Sequence, residues 1–160
     1  MDINISYYLA EHGWSTCWIN TNDNNYEISI THIFLEDPIE ECINCLVRMM
    51  NGQKKSEFKW YGEPGGERIK LKEIPTNKNF VKFIVEQFTT DIGDNIDDYE
   101  ESLQFSISKK LLVTMFYYEF KKISELLKDK NYNKNRNSDF PFKSFKTFEK
   151  KVMEYLNERD

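Results

Sequence analysis

Three groups of residues in this 160-residue chain have types and spacing that could carry chemistry: a Cys-x-x-Cys pair, two histidines and a dense run of carboxylates. Cys42-Ile43-Asn44-Cys45 has the spacing of a redox dithiol. That chemistry needs its first thiol at a helix N-terminus, where the helix dipole lowers the pKa. Asp37-Pro38, with Glu40 three residues after Asp37, instead starts the helix about five residues before Cys42, as a side-chain cap, a preorganised first position and the acidic member of a capping box. Both thiols then fall at i and i+3 on an apolar stripe, and core packing accounts for them. A zinc site needs about four ligands, and Cys17, Cys42, Cys45, His12 and His32 are scattered over two strands, a turn and a helix. No metal or cofactor is expected.

The carboxylates are more distinctive. Asp91-Ile92-Gly93-Asp94-Asn95-Ile96-Asp97-Asp98-Tyr99-Glu100-Glu101 holds six acids in eleven residues with no Lys or Arg. The order of acids and glycine does not fit a calcium loop. Read as a solvated connection, the run repels itself. Read as a docking surface, Asp91, Asp94, Asp97, Asp98, Glu100 and Glu101 steer a basic partner, with Tyr99 as an aromatic anchor. The alternative site lies at two turns, where His12, Trp14, Glu63 and Glu67 could converge on a small ligand, with Glu63 as acid or base. Gly65-Gly66 lacks the Lys-Ser/Thr of a P-loop and the three-glycine spacing of a dinucleotide site, so turn chemistry explains it. The sequence carries no organised catalytic motif, and the reading points away from an enzyme.

The elements that hold these groups follow from periodicity. Ile3, Ile5, Tyr7 and Leu9 alternate with polar residues as in a half-buried strand. Trp14 to Asn20 is a second strand, Thr21 to Asn25 a polar turn, and Tyr26, Ile28 and Ile30 mark a third. His32 shares their parity and reads as a hydrogen-bonded core-edge residue. The helix from Pro38 buries Ile39, Cys42, Ile43, Leu46, Met49 and Met50 and ends at Asn51-Gly52. A hairpin follows around Glu63-Pro64-Gly65-Gly66, then strands at Phe80–Phe88 and around Leu103, Phe105 and Ile107. From Lys109 the period becomes helical, with Leu112, Phe116, Phe120, Ile123 and Leu127 on one face. Residues 129–139 are almost wholly polar and read as a flexible linker. A last helix docks through Phe145, Phe148, Val152, Tyr155 and Leu156.

These pieces predict an α+β fold: a mainly antiparallel sheet of six to seven strands packed by two helices, with a C-terminal helix at its edge. Residues 1–128 form the domain, 129–139 the linker and 140–160 the docking helix. With 39% hydrophobic residues and 15% aromatic, the chain supports a substantial core rather than disorder. No apolar run is long enough for a membrane span or a signal core, and three cysteines suit a reducing compartment, so a cytoplasmic location without membrane contact is expected. Residues 1–108 carry nine Lys and Arg against nineteen Asp and Glu, whereas 109–160 carry thirteen against eight. The acidic part disfavours nucleic acid, which binds through Lys and Arg.

Glu11-His12-Gly13-Trp14, the Asp37-Pro38 helix ending at Gly52, and Glu63-Pro64-Gly65-Gly66 together resemble a family of small uncharacterised bacterial proteins over roughly the first 90 residues. The resemblance rests on turns and caps and so implies a shared fold. The acidic meander-plus-helix layout is similar to immunity proteins of bacterial toxin systems, which implies an inhibitor that covers a basic toxin. The expectation is a non-catalytic protein-binding module of immunity or inhibitor type. The alternative is a ligand-binding protein or enzyme at the 11–14 and 63–67 turns.

Overall fold

A computed structural model of the chain describes residues 2–33, 36–90 and 94–157. Its elements run β1 (Ile3–Leu9), β2 (Trp14–Thr21), β3 (Asn25–Thr31), α1 (Pro38–Met50), β4 (Lys55–Tyr61), β5 (Gly66–Ile74), β6 (Asn77–Phe88), β7 (Glu100–Ser108), α2 (Lys109–Leu126), α3 (Lys130–Asn133) and α4 (Phe142–Asn157), with a 3-10 turn at Asn137–Asp139 before α4. The class is α+β and every strand pairing is antiparallel. The strands form two sheets rather than one, β1-β2-β3 and β4-β5-β6-β7. Alternation along a strand fixes which face it buries, but not which strand lies beside it. The break comes at α1, where the meander gives way to a helix and β4 opens a new sheet.

Both sheets turn their apolar faces to a common core. Ile5, Tyr7, Leu9, Cys17, Ile19, Ile28 and Ile30 come from the first, and Phe58, Trp60, Ile69, Leu71, Val81, Phe83, Val85, Leu103, Phe105 and Ile107 from the second. Trp60 is its centre. Its ring meets Tyr7, Phe58 and Phe116 edge-on at 5.8, 5.0 and 6.4 Å, and its indole N–H donates to the Pro38 carbonyl at 2.8 Å. A large aromatic with one polar handle thus ties the second sheet to the start of α1.

At that start, Asp37 Oδ1 accepts the Ile39 and Glu40 backbone N–H groups at 2.8 and 2.9 Å. Glu40 does not complete a capping box. Its carboxylate accepts the Ser144 hydroxyl at 2.6 Å and so fastens α4 to α1. The helix ends at Gly52, φ 87°, as Gly52 N–H reaches Met49 O and Gln53 N–H reaches Arg48 O. Helix α2 runs beside β1 and touches both β6 and β7, so it bridges the two sheets. Its predicted stripe, Leu112, Phe116, Phe120, Ile123 and Leu127, is buried throughout. Full burial of each such side chain contributes about 1.5–3 kcal/mol.

Two further expectations need correction. Helix α4 packs on α1 and α2, not on a sheet edge. Its Glu149 accepts from Tyr117 Oη at 2.9 Å and Lys121 Nζ at 2.6 Å, while Phe145, Phe148 and Val152 are buried. Residues 129–139, expected as a linker without structure, form α3 and the 3-10 turn. Polar contacts replace the apolar burial that the segment lacks. Asp129 caps α3 through the Asn131 and Tyr132 N–H groups, and Arg136 Nε donates to Leu9 O at 3.0 Å while its guanidinium meets Glu11 at 3.2 Å and lies 4.5 Å from the Tyr132 ring centre.

Candidate docking surface

The acidic segment leaves the end of β6 and returns as β7, and two of its residues are consumed in building it. Asp98 Oδ2 accepts the Thr89 backbone N–H at 2.8 Å and the Thr89 hydroxyl, while Oδ1 accepts the Thr90 hydroxyl at 2.7 Å. These donors, the threonine hydroxyls first, hold the Asp98 carboxyl down to about 2. Tyr99 packs edge-on against Phe88 at 5.8 Å, and the Arg68 guanidinium sits 3.4 Å above its ring. Arg68 in turn pairs with Glu86, which Lys70 also contacts. Burial opposes ionisation of Glu86, but the two cations outweigh it and its pKa falls below the usual value. Asp98 and Tyr99 therefore frame the segment through these contacts, with Asp98 itself still exposed.

What the frame presents is four carboxylates. Asp94, Asp97, Glu100 and Glu101 are exposed, and among the described residues none has a cationic partner. Asp91 lies outside the described residues. Glu100 and Glu101 open β7, opposite Gln87 and Glu86 of β6, with a register irregularity between Val85 and Glu86 that leaves Ser102 as an extra residue. The bulge turns the acidic start of the strand out of the regular alternation, so that both Glu100 and Glu101 face solvent.

The alternative turn site does not assemble. His12 is exposed in its turn at φ 60°, with Glu11 3.7 Å from its ring. Trp14 is half-buried on the face of β2 opposite the core, Glu63 is exposed, and Glu67 is buried with Ile69 on the inner face of β5. No hydrogen bond or ion pair joins the two turns among the described residues. Gly65 and Gly66 are required by packing. A Cβ on Gly65, φ 70°, would stand 2.1 Å from Phe88 O, and one on Gly66 2.2 Å from Trp60 O. Their neighbours are protein backbone, which leaves no cradle for phosphate.

Three further sets of polar groups are buried. Burial pushes Glu67 up to about 7. It lies in register between Trp60 and Gln87, and Cys17 and Tyr26 across the sheets feel its charge. His32 Nε2 is 2.7 Å from Ser15 Oγ, and burial lowers its pKa to about 4, so the ring is neutral. The pair has the spacing of a nucleophile and base, with Ser15 only 2% exposed. Parity placed His32 at the core edge; nothing in the sequence pointed to Ser15 as its partner. Burial raises the pKa of both the Cys42 and Cys45 thiols, Cys45 to about 11, as expected for thiols packed in the core. No group of three or more metal-binding side chains occurs among the described residues, and no helix there is long and apolar enough to cross a membrane.

No family, curated protein or solved structure matches this chain. The functional reading rests on the geometry.

Proposed function

We propose that this protein is a non-catalytic binding module of inhibitor or immunity type, which docks a basic protein surface through Asp94, Asp97, Glu100 and Glu101. One observation carries the reading: Asp98 and the Arg68–Tyr99 stack anchor residues 98 and 99 to β5 and β6, while Asp94, Asp97, Glu100 and Glu101 are exposed and have no cationic partner among the described residues. The field of an exposed acidic patch raises the rate of encounter with a cationic partner. Its contacts lie at the surface, so they weaken as salt shortens the Debye length to about 8 Å at physiological ionic strength.

The experiment is a paired capture. The tagged wild-type chain and a D94N/D97N/E100Q/E101Q variant are incubated with lysate of the source cell at low and high salt, and bound proteins are identified by mass spectrometry. The reading expects one basic protein that the wild type retains at low salt and the variant loses, while both chains melt alike. A partner retained equally by both chains contradicts it.

A further inference from the structure

Both sheets have edges, and three of the four are protected. The edge of β1 is met by α2, whose Glu119 accepts the Tyr7 backbone N–H at 2.8 Å. The edge of β3 faces the Gly62 turn, where a Cβ on Gly62 would lie 3.1 Å from Ser29 O. The edge of β4 is capped by Arg48, which donates to Glu57 O at 2.9 Å and to Ser56 Oγ at 3.0 Å from α1. The fourth edge, β7, pairs only with β6; side-chain hydrogen bonds reach the strand from other elements at Ser102, from Tyr26 of β3, and at Ser108, which accepts the Leu111 N–H of α2 at 3.1 Å, while among the described residues none reaches Leu103–Ile107. Beyond the bulge, Leu103–Ser108 is a regular run with no proline and no lysine, the residues that usually blunt an exposed edge. Its outward side chains, Gln104 and Ser106, are small or neutral and exposed.

The charges beside this edge are arranged by strand direction. Glu100 and Glu101 stand at its start. Lys82, exposed and without a carboxylate partner among the described residues, pairs in register with Ser106 near its end. A rotation of 180° about an axis normal to the sheet near Gln104 sets one β7 antiparallel to another. The acidic start of each strand then lies beside the Ser106 end of its mate, with Lys82 of that mate one strand further in. One operation thus supplies partners to the open backbone groups, to Glu101 and to Lys82, and supplies them twice, as an isologous contact requires.

We infer that β7 is an association edge whose occupant is a second copy of this chain, paired antiparallel through Leu103–Ser108 to make one eight-stranded sheet from two four-stranded ones. The pairing uses main-chain hydrogen bonds for attraction and the Glu101–Lys82 pairs for register. This goes beyond the docking reading above, with which it shares only Glu100 and Glu101.

The test uses the full chain. A residue at a two-fold axis meets its own copy, so Gln104→Cys is expected to form a disulfide-linked dimer under mild oxidation, whereas Lys59→Cys, on β4 at the other side of the same sheet, stays monomeric. Sedimentation velocity should show a concentration-dependent dimer for the wild type, weakened at least tenfold by Lys82→Glu or by Glu101→Lys alone. The double variant K82E/E101K should recover most of the loss, because each altered residue meets the other across the interface. A monomer at all concentrations, or a dimer in which Q104C does not cross-link, overturns the inference. Neither outcome touches the docking reading, whose own test is the partner lost on neutralising Asp94, Asp97, Glu100 and Glu101.

Discussion

The Asp98 carboxylate accepts the Thr89 backbone N–H at 2.8 Å across nine residues of chain, and this closes the acidic segment against the end of β6. The sign of the resulting pH dependence follows from its folded pKa, about 2, below the ordinary Asp value of 3.8. Stability from Asp98 is fully present above the unfolded pKa and is lost as pH falls through the folded one. Asp98→Asn should therefore lower the melting temperature by a constant amount above about pH 5, and the gap to wild type should shrink towards pH 2. Paired melts from pH 2 to 7 measure it; a gap that does not change with pH contradicts the assignment.

Glu67 has the opposite sign. Its folded pKa, about 7, lies above the ordinary 4.5, because burial disfavours the carboxylate. Its contribution is intact below pH 4.5 and is lost as pH rises to 7. The full shift corresponds to a loss on the order of 3 kcal/mol. Glu67→Gln should accordingly stabilise the fold at pH 8 and change it little at pH 4. Chemical denaturation at the two pH values decides, and equal effects at both would contradict a buried, uncompensated carboxyl.

Residues 129–139 hold their place through Arg136. Arg136→Ala removes hydrogen bonds to Leu9 O and Tyr132 O and the ion pair with Glu11. The expected cost is about 1–3 kcal/mol, with faster amide exchange at residues 129–139 and at the β1–β2 turn. Exchange that rises everywhere alike would show that Arg136 supports the whole core rather than this one junction.

The cysteines should behave as core residues. Cys17, Cys42 and Cys45 are buried and reduced, with all three pKa values raised by burial. At pH 8 a thiol reagent should modify none of them in the folded chain and all three in denaturant. Rapid modification of Cys42 in the native state would revive a dithiol chemistry.

Much of this fold was legible because local chemistry marked its ends. Asp37-Pro38 and Gly52 delimit α1, and alternation placed the buried residues of β1, β3 and β7 on the correct face. The number of sheets was not legible, since strand pairing depends on residues far apart in the chain. Segment charge is also not the charge of a sheet face. Residues 1–108 are strongly acidic as a sequence, yet pairing across β4, β5 and β6 aligns Lys55, Lys72 and Lys82 directly beside one another. At the candidate site the sequence located the segment but could not rank its members. Asp98 and Asp97 are adjacent and chemically identical, and only the position of the Thr89 and Thr90 donors makes one a staple and the other a free charge. The 129–139 segment was misread because composition measures apolar burial and is blind to what one arginine can bridge.

The most direct measurement of the central claim is the association rate of the captured basic partner, followed by stopped flow against salt, for wild type, D98N and D94N/D97N/E100Q/E101Q. The account predicts that the quadruple variant loses at least tenfold in rate and most of its salt dependence at unchanged stability, while D98N, which keeps the four carboxylates but loosens their frame, is affected mainly in dissociation. Equal rates and equal salt slopes for wild type and the quadruple variant would contradict docking through this segment.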